Sequence, residues 1–210
     1  MEKTLDKANA IIDENEKIIA NILHDIKSPL YSIKIALQNH LENELNKDIF
    51  ETTVDVINYV ENFLVNYSFK SGKFEPKTSF CDVRKIIEKK IKNCKHIFIY
   101  KNIHLDIVLE ASDFTVNSIE AFLESIIGNI ISNIALHATP NSIAVVNLSK
   151  KNNCVFADFK NNIDKTESNF SLGLDFCAKL SGAINASLKF SKTKGFVSVN
   201  LKIPEIKGLK

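Results

Sequence analysis

The chain has 210 residues, 45% hydrophobic and 25% charged, which suits one or two compact domains and excludes a disordered tail or a fibre. Its 27 lysines and arginines nearly cancel 25 aspartates and glutamates, and this +2 balance, with no basic block evident, argues against nucleic-acid binding. The stretch Met1–Lys17 is polar with no apolar signal region, and no window approaches the roughly 18 apolar residues of a membrane span, so a soluble, cytoplasmic protein without membrane contact is expected. Cys81, Cys94, Cys154 and Cys177 form no CxxC pair and have no neighbouring histidine cluster, so they read as reduced structural thiols, with neither a zinc site nor a disulfide framework.

In chain order, Leu5, Ile12, Ile19, Ile26 and Ile33 recur seven apart, with Leu23, Leu30 and Leu37 beside them, and predict a long amphipathic helix to about Leu45. A polar connection, Glu42 to Asp48, leads to a second helical pattern from Phe50 to Tyr67 that stops at Ser71-Gly72. Two helices offer only two stripes and cannot enclose a core, so a two-fold homodimer completing a four-helix bundle is expected. His40 falls on the predicted seam and reads as a packed ring. After residue 75 the pattern shortens: helix Asp82 to Lys95, strands His96 to Tyr100 and Ile103 to Leu109, an apolar helix Ser118 to His137, strands Ser142 to Leu148 and Val155 to Phe159, helix Leu172 to Leu180, and strands Ala186 to Phe190 and Gly195 to Ile203. The fold class is α+β, with domains at 1–73 and 76–210 and a short hinge between them.

The densest chemistry is His24-Asp25-Ile26-Lys27-Ser28-Pro29-Leu30 in the middle of the first helix. His24 lies two positions off the seam and faces water, which leaves its imidazole available as a nucleophile. Pro29 cannot donate to the carbonyl of Asp25, and bends the helix one turn after the histidine. Asp25 can hold the ring or take up a proton, and Ser28, at i+4, projects to the same side and can orient a water. Lys27 can attract an acidic surface, and Tyr31, Ile35 and Gln38 are candidate contacts for it.

This order of residues resembles the phosphoacceptor box of two-component sensor histidine kinases, His-Asp/Glu-x-Lys/Arg-x-Pro-Leu, and the match is complete. The segment Phe63 to Phe74 is similar to the end of that family's second helix, and the likeness extends from about residue 10 to 204. It implies a histidine-bearing dimeric bundle followed by an α/β-sandwich of the family's ATPase type. That second domain binds ATP through an asparagine helix, which Gly128-Asn129-Ile130-Ile131-Ser132-Asn133 resembles, with Asn133 at the magnesium-holding position. The two glycine boxes depart from the family. Asp158-Phe159-Lys160-Asn161-Asn162 keeps an aspartate but sets Lys160 and Asn162 at glycine positions, and Asn169 to Leu174 keeps only Gly173. The lid shrinks to Asp164–Phe170.

Three departures together imply a retained fold that has lost its ATP site, so no cofactor is expected on this chain. With only 23 residues before His24, a sensor domain is not expected either. What remains for His24, Asp25 and Ser28 is a partner receiver domain of a response regulator, which carries an aspartyl phosphate and supplies the magnesium itself. The expected activity is dephosphorylation of that receiver. The family's phosphatase-competent members have threonine or asparagine where Ser28 stands, so the hydroxyl is kept in a different residue. A histidine phosphotransferase relaying phosphate between receivers, and a silent pseudokinase scaffold that sequesters a regulator, are the alternatives.

Overall fold

The computed structural model describes residues 2–37, 40, 44–70, 77–110, 113–163 and 171–205. It divides into two compact units, Met1–Pro76 and Lys77–Lys210.

The first unit is a helical hairpin of α1 (Glu2–Leu37) and α2 (Glu44–Lys70). α1 continues through Pro29. The helices meet along Ala20, Leu23, Leu30 and Tyr31 on α1 and the buried Phe50, Val54, Ile57 and Val60 on α2. The predicted seam is displaced by this contact: Ile19, Ile26 and Ile33 are 44%, 40% and 44% exposed. A helix of 36 residues carries two apolar stripes about 100° apart, and only one can face α2. The outward stripe, Ile19, Ile22, Ile26 and Ile33, lies on the same side of the hairpin as the exposed Leu45, Ile49, Val56 and Tyr59 of α2. Two boundaries also differ from expectation. α1 stops at Leu37, so His40 is exposed outside the helix and receives the Asn46 amide on its carbonyl at 3.0 Å instead of packing in a seam. α2 starts inside the expected polar connection, because Glu44, Leu45 and Lys47 favour helix and an acid suits its first turn. The stop expected at Ser71-Gly72 lies outside the described residues.

The second unit runs β1 (Ser79–Asp82), α3 (Val83–Tyr100), β2 (His104–Leu109), β3 (Thr115–Ser118), α4 (Glu120–His137), β4 (Ile143–Lys151), β5 (Cys154–Asn162), α5 (Ser171–Ala183), β6 (Ser187–Thr193) and β7 (Phe196–Pro204). One sheet has the order β2-β4-β5-β7-β6, with β2 and β4 parallel and the other pairs antiparallel; β1 and β3 pair separately. Side chains alternate along each strand. Ala144, Val146 and Leu148 of β4, Val155, Ala157 and Phe159 of β5, and Val197, Val199, Leu201 and Ile203 of β7 are buried on one face, under a helix layer centred on α4. α4 is buried nearly all round, with Ile126, Ile127, Ile130, Ile131 and Ile134 at most 3% exposed.

The expected strand His96 to Tyr100 is the last part of α3. Its β-branched and aromatic residues favour a strand, but a helix buries Ile97 and Phe98 on the stripe that already carries Ile86 and Ile87, and tertiary packing overrides propensity. β1 and β3, four residues each, are too short for their alternation to stand out in the sequence. Asp82 caps α3, accepting from the Arg84 and Lys85 amides at 3.1 and 3.3 Å. Lys101, 8% exposed, donates its ammonium to the Leu136 carbonyl in the last turn of α4, where a cation is favoured. Glu124 of α4 takes Lys89 at 2.6 Å and Lys90 at 3.3 Å, tying α3 to α4. Glycine is scarce, so asparagine supplies left-handed backbone: Asn152 and Asn153 (φ 52° and 58°) form the two-residue hairpin between β4 and β5. All four cysteines are free, and burial pushes the Cys177 thiol up to about 12.

Candidate functional site

His24, Asp25 and Ser28 stand together on the exposed side of α1. The His24 and Asp25 side chains are 79% and 85% exposed, with Nδ1 and Oδ1 3.6 Å apart, beyond direct hydrogen-bond length. Ser28 follows one turn later, about 40° round the helix from His24, so its hydroxyl and the imidazole flank the same surface. Its carbonyl accepts the Ser32 hydroxyl at 3.2 Å. Pro29 leaves the Asp25 carbonyl without an N–H from residue 29, so this turn is held less by its own backbone than its neighbours are.

A polar clip that was not foreseen from the sequence holds that turn to α2. Glu61 pairs with Lys27 at 3.0 Å and accepts the Tyr31 hydroxyl at 2.8 Å. The Lys27 and Lys34 ammonium groups lie 5.8 and 5.7 Å from the Tyr31 ring centre. Burial first, then the Glu61 charge and its hydrogen bond, push the Tyr31 phenol well above its ordinary value. Lys27 and Tyr31, expected to meet a partner, are thus engaged within the hairpin, whereas Ile35 is 58% exposed. Gln38 lies outside the described residues. The i, i+4 spacing of Lys27 and Tyr31 is visible in the sequence, but nothing there says that Glu61 of another helix lies opposite.

In the second unit the two groups compared with a nucleotide site do not converge. Asn133 is half-buried on α4, and Asn129 is buried with its amide donating to the Ser125 carbonyl at 2.9 Å. Asp158 alternates with the buried Ala157 and Phe159, so it projects from the sheet face opposite the helix layer, where it accepts the Asn200 amide at 2.7 Å. The sequence held this signal: Val155, Ala157 and Phe159 are every second residue, and Asp158 falls between them. On the helix-covered face at the end of β5 stands Asn161, 3% exposed, whose amide donates to the Asn162 carbonyl at 3.1 Å. Lys160 is exposed, its ammonium 5.4 Å from the Phe196 ring centre. Gly173 is the third residue of α5 and not part of a loop. The expected lid, Asp164–Phe170, lies outside the described residues. Among the described residues no three of His, Cys, Asp and Glu gather as a metal would need, and no helix is long and apolar enough to cross a membrane.

No family model matches the chain. In sequence it is similar to the sensor protein KdpD of Clostridium acetobutylicum, 26% identical over 158 residues, which are 68% of this chain and 17% of that protein. The chain therefore spans about a sixth of the length of that relative. In structure it is similar to the histidine kinase AdeS of Acinetobacter baumannii, with a TM-score of 0.61 at 13% identity, covering 88% of this chain and 98% of AdeS. It is also similar to full-length ShkA solved in complex with AMPPNP, with a TM-score of 0.60 at 12% identity, covering 90% of this chain and 45% of that one. The helical hairpin and the mixed α/β unit thus have the histidine-kinase fold, and the resemblance of this chain to the sensor histidine kinases holds in sequence and in structure.

Proposed function

We propose that this chain is a histidine-kinase-like signalling protein without autokinase activity, which removes phosphate from the aspartyl phosphate of a response-regulator receiver. The observation that carries the reading is the pairing of an exposed imidazole and a hydroxyl on one side of α1 with a second unit whose Asp158 faces away from Asn133. Side chains at the glycine positions, Lys160 and Asn162, also oppose close approach of a nucleotide.

The receiver docks on the His24 side of α1, with Ser28 and the exposed Ile35 in contact. Ser28 aligns a water with the phosphorus, and His24 or Asp25 accepts its proton. The water oxygen forms the new P–O bond, the bond to the aspartyl oxygen breaks, and inorganic phosphate and a free carboxylate leave. The receiver holds the magnesium. The opposite side of the hairpin, with Ile19, Ile22, Ile26 and Ile33 beside Leu45, Ile49, Val56 and Tyr59, packs on a second copy to complete a four-helix bundle. The chain acts in the cytoplasm.

The exposure of His24 also supports a relay, in which Nε2 or Nδ1 attacks the same phosphorus and carries the phosphoryl group to another receiver. One experiment separates the readings. The purified chain is incubated with labelled ATP, and separately with a labelled phospho-receiver. No label from ATP, with faster loss of label from the receiver as inorganic phosphate, is the expected result. Label trapped on His24 from the receiver supports the relay. Label from ATP overturns the proposal, and an unchanged receiver leaves a silent scaffold.

A further inference from the structure

The five-stranded sheet ends on β2, and no described strand pairs with its outer edge. β2 joins β4 and its flanks through the His104 amide, 2.9 Å from the Ser142 carbonyl, and the Glu110 amide, 2.8 Å from the Leu148 carbonyl. In a parallel pair both backbone groups of a residue point to one side, and successive residues alternate. The even-numbered residues therefore face β4, and Leu105, Ile107 and Leu109 turn both N–H and C=O outward. These three residues stand opposite the buried Ala144, Val146 and Leu148, so their side chains lie on the helix-covered face. Ile107 and Leu109 are nevertheless 40% and 39% exposed, because the layer stops there. Where β2 starts, by Leu105, a groove of about 300 Å³ is lined by Ile91, Lys95, Phe98 and Ile99, with the polar Asn102 and His104 at its side.

The charge around this groove is one-sided. α3 carries Arg84, Lys85, Lys89, Lys90, Lys92 and Lys95 against a single acid, Glu88, a local excess that the even balance of the whole chain conceals. Arg84 holds Glu88, Lys85 lies near Asp82, and Lys89 and Lys90 share Glu124. Lys92 and Lys95 are exposed and have no acidic partner among the described residues. Asp106 alternates to the other face of the sheet.

We propose that β2 accepts an added strand from a partner protein. The segment is extended, its backbone pairs with Leu105, Ile107 and Leu109, and its groove-side positions carry apolar residues with an acidic one beside Lys92 and Lys95. Main-chain bonds along an edge that no described strand covers supply the affinity, and the groove and the nearby cations select the sequence. A second copy in this place, paired antiparallel through a two-fold axis across the sheet, would bring two Lys92–Lys95 flanks together and be repelled. This inference is independent of the chemistry proposed for His24.

The test pans a display library of random decapeptides on the full chain, then measures the affinity of the best synthetic peptide for the wild type, Ile107→Pro and Lys92→Glu/Lys95→Glu. The Ile107 amide points away from β4, so proline removes an outward donor and leaves the ladder intact. The expected consensus has apolar residues two apart with an acid in the same alternation. Affinity falls at least about tenfold in each variant and weakens with salt, and the amides of Leu105, Ile107 and Leu109 gain protection from hydrogen exchange. No enrichment, a basic consensus, or full affinity in either variant overturns the proposal. So does self-association that Ile107→Pro abolishes, which would make a second copy the occupant. If circular dichroism finds the proline variant unfolded, the double lysine variant alone carries the decision.

Discussion

Isoleucine marks both α1 and α4, with opposite outcomes. In α4, Ile126, Ile127, Ile130, Ile131 and Ile134 are at most 3% exposed, because a sheet, α3 and α5 surround that helix. In α1, Ile19, Ile22, Ile26 and Ile33 are 40–52% exposed, because a hairpin gives the helix one neighbour. The same side chain at helical spacing is core where the layers close and stays exposed where they do not. Polar chemistry follows the same division. On α4 Asn129 is tied to the Ser125 carbonyl and Glu124 to Lys89 and Lys90, whereas His24 and Asp25 stand in water.

The comparison breaks most readily through its isoleucines. Ile127→Ala opens a cavity in a closed core and should cost about 2–5 kcal/mol in the urea unfolding of the second unit. Ile26→Ala should leave the helical signal of the monomer intact and shift sedimentation from dimer toward monomer. A dimer unmoved by Ile26→Ala would place the interface elsewhere. Next in size, Ser28→Ala should slow release of phosphate from a phospho-receiver by about 100-fold while binding is kept, as expected when a positioned water is lost. An unchanged rate would leave Ser28 a solvated hydroxyl.

Lys101→Met tests the polar tie at the end of α4. The methionine fills similar volume but leaves the Leu136 carbonyl without its donor, at about 1–3 kcal/mol in the same unfolding experiment. The smallest effect belongs to Tyr31. Its folded phenol titrates above the unfolded value, so its contribution is complete below about pH 10. Above that, the unfolded chain loses the proton first, and stability falls as pH rises. Tyr31→Phe should flatten the fall in hairpin stability above about pH 10, followed by circular dichroism.

Much of this arrangement was legible in the chain. The period of the apolar residues predicts both hairpin helices, α4 and the strands β4, β5 and β7, since local spacing is what decides which side chains can share a face. His24 is exposed, but not for the reason its offset to Ile26 suggests, since Ile26 itself faces outward and α2 meets the stripe of Ala20, Leu23, Leu30 and Tyr31. The continuation of α3 through His96 to Tyr100 was not legible, because strand propensity and helix burial conflict there and only packing resolves the conflict. Asp158 lay between these cases: its alternation with Ala157 and Phe159 was readable, but a motif match gives order along the chain and not direction from a strand.

By itself the sequence determined that His24, Asp25 and Ser28 share about one turn of helix, because residues three and four apart on a helix are neighbours whatever surrounds them. It also determined which residues are apolar enough to need cover. Only the tertiary structure decided which of two stripes on α1 meets α2, that Glu61 reaches Lys27 and Tyr31, that Asp158 faces away from Asn133, and that no described strand pairs beyond β2. Each of these depends on elements distant in sequence coming together, and no local pattern specifies the partner that arrives from elsewhere in the chain.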